Sequence, residues 1–344
     1  MNRLTSEEIQ LAQDALTRSN KVVIVSHYNP DGDAMGSSLA IYHYCKGKGK
    51  DVHVILPNLF PSFLNWMPGA DTIVVAAQHV DKVRKLFAEA DLMFVVDMNA
   101  PSRFGSAFEE CITDSKAFKI LIDHHVSPII DCNVKLSETQ TTSTCELVYN
   151  FLFDELCDKE ALTLDIAECI YVGMITDTGS LSYMCNHPET YLAISELMKK
   201  GVDGEAIHRK VYDNYSESRL RLLGLLLSQR LKIMNDYATS YGYLTKKDLM
   251  DNNFHIGDTE GFVNYGLSVG TVKFTAFFTE RDNRIRVSFR SKGDFDVNKF
   301  ARKHFDGGGH KNASAAYHYD TLENTMAYFE EVLKEYKDEL TAQK

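Results

Sequence analysis

Three histidines and five aspartates stand in four short groups, and each group closes an apolar segment. His27, Asp31 and Asp33 follow Val22-Val23-Ile24-Val25, and Asp97 follows Leu92-Met93-Phe94-Val95-Val96. Asp123-His124-His125 follows Ile120-Leu121-Ile122, and Asp177 ends the helical spacing that runs from Thr163. Taken singly, an aspartate at a strand end reads as a turn or cap residue. Four such groups together read as a metal site. Carboxylate and imidazole without thiolate suit Mn²⁺, Mg²⁺ or Fe²⁺ better than a structural zinc. The donors are too many for one ion and adequate for two. A bridging carboxylate would hold two metals about 3.5–4 Å apart, the spacing used for in-line displacement at phosphorus.

The elements between these groups decide whether the donors can meet. Val22 to Val25 reads as a buried strand, and the spacing of Met35, Leu39 and Tyr42 predicts a helix after the loop that holds Pro30 and Gly32. Further strands are expected near 52–56, 72–75, 92–96 and 120–122, with helical segments ending near Phe87 and covering about 104–112, 143–156 and 163–175. Strands alternating with helices predict a parallel, helix-covered sheet, in which strand-end residues converge on one edge.

The texture changes after Thr190. Residues 191 to 234 read as nearly continuous helix, with Leu220, Leu223, Leu227 and Leu231 along one stripe. Such a stripe suits plain packing, the commoner cause, or a homodimer seam. From 238 onward strands are expected at 241–244, 271–278 and 284–289, the last two joined in a hairpin around Arg281-Asp282-Asn283. A charged helix from about 322 to 340 closes the chain. The predicted organisation is a catalytic α/β domain over 1–190, a helical connector over 191–234 and a smaller α/β domain over 235–344, with the active site in the cleft between the domains.

Bulk properties narrow the function. The 344 residues are 44% hydrophobic and 25% charged, as in a folded globular protein, and the net charge of −11 argues against a duplex-DNA binder. Small anionic substrates stay open, because bound metal supplies local positive charge. Seven cysteines with no C-x-x-C pair read as reduced thiols. No stretch is apolar enough to span a bilayer, and no signal segment precedes the capping box Thr5 to Glu8, so the expected location is cytoplasmic and away from membranes.

The order and spacing of His27-Tyr28-Asn29-Pro30-Asp31-Gly32-Asp33-Ala34, Asp97, Asp123-His124-His125 and Asp177-Thr178-Gly179 resemble the four motifs of the DHH phosphoesterase superfamily. Arg290-Ser291, then Gly307-Gly308-Gly309-His310, with Asp258-Thr259-Glu260-Gly261 upstream, resemble the associated C-terminal substrate domain. The resemblance implies His27, Asp31 and Asp97 on one metal and Asp33, Asp97, His124 and Asp177 on the other, with Asp97 bridging. It implies that His125 touches the scissile phosphate and that Asp123 orients a neighbouring histidine. Arg290, Gly307, Gly308, Gly309 and His310 would hold a terminal phosphate or base. Two departures stand out: Asp306 where the family often has a further glycine, and Leu181 where an aromatic is common.

What the resemblance implies for function is a phosphohydrolase using two divalent metals, Mn²⁺ first and Mg²⁺ second. It would degrade short single-stranded oligoribonucleotides and dephosphorylate pAp. Cyclic di-AMP or pApA hydrolysis is the alternative; an exopolyphosphatase or pyrophosphatase ranks below it, and a non-catalytic nucleotide sensor lowest.

Overall fold

The computed structural model describes residues 4–213, 215–282 and 284–342. The chain divides into two compact units, Met1–Asn214 and Tyr215–Lys344.

In the first unit, β1 (Lys21–Val25), β2 (Asp51–Leu56), β3 (Val74–Val75), β4 (Leu92–Val96), β5 (Phe118–Asp123) and β6 (Val134–Ser137) form one sheet. Its order is β3-β2-β1-β4-β5-β6 and every pairing is parallel. Parallel sheets bury both faces. Val22, Ile24, Phe94 and Ile122 pack on one side, toward α1 (Ser6–Arg18) and α2 (Gly32–Gly47). Val23, Val25, Val95 and Leu121 pack on the other, toward α3 (Val80–Glu89) and α4 (Glu109–Thr113). The strand β6 escaped the sequence reading because it is a short edge strand with an alternating, half-apolar pattern.

Strand order reverses between β1 and β4, and in open α/β sheets the crevice at such a reversal is the ligand site. Two helices complete that side: α5 (Thr144–Tyr149), continued by a π turn over Asn150–Glu155, and α6 (Leu164–Asp177). The helices α7 (Pro188–Lys199) and α8 (Gly204–Tyr212) follow within the same unit.

The helical run expected over 191–234 is interrupted. Gly201 turns the chain with φ +99°, Asp203 caps α8 and Ser216 caps α9 (Glu217–Leu225). After a π turn over Leu226–Arg230, the last four residues are a strand, β7 (Leu231–Met234). The leucine stripe is also displaced. Leu222 and Leu226 are buried, whereas Leu220 and Leu227 are exposed, because the segment packs its other face against Leu244, Leu249 and Phe277.

In the second unit β7 joins β8 (Thr239–Leu244), β9 (Phe274–Arg281), β10 (Arg284–Ser291), β11 (Asp306–Gly309) and β12 (Ala313–His318) in the order β11-β12-β10-β9-β8-β7. The sheet is mixed, since β8 and β9 run parallel. The expected hairpin is β9–β10, and its Asn283 lies outside the described residues. Phe274, Phe278, Phe289, Phe300 and Phe329 fill the core on one face, under α12 (Val297–His304) and α13 (Leu322–Leu333), counting α10 (Lys246–Asp251) and α11 (Phe262–Leu267) before them.

Candidate metal centre

The loop after β1 is built to present donors. His27 is buried, and its Nδ1 lies 3.0 Å from the Tyr28 carbonyl oxygen, so that an Nδ1–H donated there turns Nε2 to the crevice. Asp31 caps α2, its Oδ1 accepting from the N–H groups of Asp33 (3.0 Å) and Ala34 (3.1 Å). Asp33 therefore begins the helix at a fixed angle, fully enclosed. Asp97 follows the last residue of β4 with φ +54°, a left-handed conformation that costs a non-glycine residue free energy and marks functional positions.

These donors meet those from β5 and α6. His27 Nε2 lies 3.2 Å from Asp97 Oδ2 and 3.9 Å from Asp31 Oδ1. His124 Nε2 lies 3.5 Å from Asp97 Oδ1, 3.6 Å from Asp177 Oδ2 and 3.9 Å from Asp33 Oδ2. Among the donor sets that result are His27, Asp31 and Asp97, and Asp33, His124 and Asp177, each with its ligand atoms within 4.8 Å of one another. Asp97 turns one oxygen toward each set. Asp123 Oδ1 accepts from His125 Nδ1 at 2.7 Å, and Asp97 Oδ1 is 3.5 Å from the same nitrogen.

Charge in this pocket is unbalanced. Burial raises the Asp33 carboxyl well above the usual range, and the neighbouring charges of Asp97 and Asp177 raise it further, with His124 offsetting part. Burial would raise Asp97 too, but its hydrogen bond to His27 and the charges of His125, His27 and His124 outweigh that and hold it low. Burial would lower His27, yet Asp97 and Asp31 lift it to about 9. Neither Asp33 nor Asp97 has a lysine or arginine ion-pair partner among the described residues, and Asp123 Oδ2 is buried with no hydrogen-bond partner. Buried carboxylates so placed are expensive unless cations neutralise them, and divalent ions held by oxygen and imidazole fit this donor set.

Close helix packing brings the sets together. A Cβ on Gly173 would lie 2.1 Å from Cys145 Sγ and 2.8 Å from Asp33 Oδ1, so only glycine lets α6 approach α2 and α5. Thr144, which the sequence reading passed over, donates its backbone N–H to Asp33 Oδ2 (2.7 Å) and its hydroxyl to Asp97 Oδ1 (3.0 Å). The signal was present: Ser143 and Glu146 have capping-box spacing, and the buried Glu146 carboxylate gathers Thr141, Thr142 and Thr190. Ser180 and His208 were also missed. They meet at 2.5 Å behind Asp177, at a distance in sequence that no local pattern reveals.

The remaining expected residues belong to the second unit. Arg290 is on β10, its Nη1 donating to the Phe289 carbonyl at 2.9 Å. Gly307, Gly308 and Gly309 are in the edge strand β11, and a Cβ on Gly307 would meet the Ala315 carbonyl oxygen at 2.3 Å. His310 follows, its N–H donating to the Ala313 carbonyl at 2.7 Å. Asp258 binds Ser216 and Ser218 (both 2.6 Å) and the N–H of His255, which makes it an organiser of its loop.

No described helix is long and apolar enough to cross a membrane. The chain is similar over 99% of its length to the whole of an exopolyphosphatase-related protein from Bacteroides fragilis, at 41% identity and a TM-score of 0.96. It is 28% identical to the bifunctional oligoribonuclease and PAP phosphatase NrnA of Thermus thermophilus, over 97% of this chain and 95% of that one. It is 25% identical to the cyclic-di-AMP phosphodiesterase PdeA of Listeria monocytogenes over 89% of this chain, which spans 46% of that protein. Residues 21–174 match the DHH family N-terminal domain and residues 238–341 the DHHA1 domain. With these two domains in succession along most of its length, the chain belongs to the DHH family.

Proposed function

We propose that this protein is a phosphoesterase working with two divalent metals, Mn²⁺ first, that hydrolyses short oligoribonucleotides and removes phosphate from pAp in the cytoplasm. The observation that carries the reading is Asp97, with Oδ2 3.2 Å from His27 and Oδ1 3.5 Å from His124. That is the disposition of a carboxylate shared by two ions. The NrnA relative, alike along nearly its whole length, supports the substrate class.

His27, Asp31 and Asp97 would hold one ion, and Asp33, Asp97, His124 and Asp177 the other. When bound, such a pair polarises the phosphoryl oxygens and makes water acidic enough to attack at neutral pH. The protein's own groups do the orienting. Thr144 fixes the carboxylates of Asp33 and Asp97, so that little reorganisation is needed as charge develops. Asp123 takes the Nδ1–H of His125 and so fixes the ring, whose Nε2 would donate to a phosphoryl oxygen as the doubly protonated imidazolium. Arg290 and His310 would grip the remote end of the substrate; a guanidinium binds phosphate in a fork and also stacks on bases. Asp306 beside the glycines would repel an extra phosphate there.

The test is turnover of pAp, short RNAs, pApA, cyclic di-AMP and inorganic polyphosphate in parallel, with Mn²⁺ or Mg²⁺ and with Asp97→Ala as control. Cleavage of pAp and short RNA, lost in the variant, supports the proposal, and the order of products gives the polarity. Dominant turnover of cyclic di-AMP or pApA moves the protein to the second-messenger reading, which the PdeA relative favours. Polyphosphate alone as substrate would leave the metal centre intact and discard the nucleotide assignment.

A further inference from the structure

One buried carboxylate of the first unit belongs to neither donor set. Glu146 stands in the first turn of α5 and is 1% exposed. Its Oε2 accepts from the Thr141 hydroxyl (3.0 Å), the Thr142 N–H (3.0 Å) and the Thr142 hydroxyl (2.5 Å). Its Oε1 accepts from the Thr190 hydroxyl at 3.0 Å. These donors are neutral, and the three threonines are themselves buried. Burying a carboxylate costs free energy unless hydrogen bonds replace its water, and here both oxygens are supplied.

The bonds tie the chain at short and at long range. Locally, the N–H of Glu146 donates to Ser143 Oγ at 3.1 Å while its side chain takes the N–H of Thr142, so the residues entering α5 are held in both directions. Within that held turn, the N–H groups of Thr144 and Cys145 donate to Asp33 Oδ2 (2.7 Å) and Oδ1 (2.9 Å), and the Thr144 hydroxyl donates to Asp97 Oδ1 (3.0 Å). At long range, Thr190 lies in the first turn of α7, where the segment that leaves Asp177 becomes helical again. The bond from Thr190 to Glu146 spans 44 residues.

We infer that Glu146 is a positioning residue of the metal centre: it holds the entries of α5 and α7 together, so that Thr144 and Cys145 are aimed at Asp33 and Asp97 in the metal-free protein. The inference rests on the two-metal reading proposed above and adds to it a residue outside both donor sets. The side-chain chemistry sets what can replace Glu146. Glutamine keeps an oxygen for the donors of Thr141 and Thr142, and its NH2 can donate to the Thr190 hydroxyl; alanine offers nothing to any of them.

The experiment compares the parent with Glu146→Ala, Glu146→Gln and Thr5→Ala, the last removing the cap of α1 as a control for destabilisation alone. Amide hydrogen exchange of the metal-free proteins reads residues 144 and 145, and Mn²⁺ titration followed by electron paramagnetic resonance reads the ions. In Glu146→Ala the two amides should exchange about 10-fold faster, and the ion that Asp33, Asp97, His124 and Asp177 would hold should bind about 10-fold more weakly. Glu146→Gln should restore both, and Thr5→Ala should leave both as in the parent. If the alanine variant does not fold, Thr141→Val/Thr142→Val, which removes only the two hydroxyls from Oε2, is measured in its place with the same expectation. Unchanged exchange or unchanged Mn²⁺ affinity in the folded variant would overturn the inference. So would a glutamine variant as weak as the alanine one, or a Thr5→Ala protein that loses both. Should the parent bind no Mn²⁺, the two-metal reading itself fails. Hydrogen exchange then decides the positioning alone: faster exchange at 144 and 145, restored by glutamine, upholds it, and equal exchange overturns it.

Discussion

The backbone N–H of Thr144 donates to Oδ2 of Asp33 at 2.7 Å, across 111 residues of sequence, while the hydroxyl of the same threonine donates to Asp97 Oδ1 at 3.0 Å. One residue thus binds two buried carboxylates of the candidate metal centre. The N–H of Cys145 holds the other oxygen of Asp33, Oδ1, at 2.9 Å.

Thr144→Val keeps the backbone bond to Asp33 and deletes the hydroxyl bond to Asp97. Losing a partner that orients a metal ligand typically costs 10- to 100-fold in metal affinity or activity. We expect that loss in Mn²⁺ titration and in kcat, with only about 1 kcal/mol of stability removed. Thr144→Ser should behave like the parent. Equal metal affinity in the valine variant would mean that Asp97 is held by its histidines alone.

Gly173→Ala places a methyl 2.1 Å from Cys145 Sγ and 2.8 Å from Asp33 Oδ1. The helices must separate, and overpacking of this kind costs about 1–3 kcal/mol. Urea unfolding of the first unit should shift by that amount, and metal affinity should drop as Asp33 moves. Adding Cys145→Ala removes the sulfur and should recover part of both. If the single variant is as stable as the parent, α6 is free to shift and the close approach has no role.

How much of this could be read from the chain follows the range of the interactions. The residues that meet in the candidate metal centre were legible because each closes a strand or helix whose apolar run is continuous, and a parallel sheet sends such ends to one edge. The Asp97 conformation and the reversal of strand order between β1 and β4 were not, since both depend on which strands pair. Leu220 and Leu227 misled because helical spacing alone does not say which of two faces is packed, and Leu222 and Leu226 took the core. The edge strand that the three glycines form was not legible either; they let it lie against Ala315 and Ala316 without a Cβ between.

Asp258 gives the second unit a pH dependence. Burial raises its carboxyl, but the hydroxyls of Ser216 and Ser218, the N–H of His255 and the charge of the His255 ring outweigh that and hold it below the ordinary value. A depressed folded-state pKa stabilises above the unfolded pKa of about 3.9, and the contribution is lost as pH falls through the folded value. Thermal unfolding should therefore show a stability decrement below about pH 4 that Asp258→Asn lacks. At neutral pH that variant should lose about 1.5–3 kcal/mol, the range for hydrogen bonds to a charged group. A pH profile identical in the two proteins would remove Asp258 as the cause.

The turn behind Asp177 is held from outside the matched DHH segment, which ends at residue 174. Gly179, Ser180 and Leu181 are consecutively left-handed, with φ of 55°, 60° and 58°, a run that non-glycine residues adopt only when their surroundings enforce it. Two side chains of α8 supply the restraint: His208 Nε2 pairs with Ser180 Oγ at 2.5 Å, and the Tyr212 hydroxyl donates to the Ile175 carbonyl at 2.6 Å. These two contacts lie on either side of Asp177 in sequence. His208→Ala and Tyr212→Phe should each weaken by about 10-fold the ion that Asp33, Asp97, His124 and Asp177 would hold, as for other groups that orient ligands. The ion held by His27, Asp31 and Asp97 should bind as before, so Mn²⁺ titration should separate into two phases. His208→Gln, which can still pair with Ser180, should restore the single phase, an outcome that general destabilisation would not produce. A uniform weakening of both ions, or none, would show that α8 merely packs against the domain.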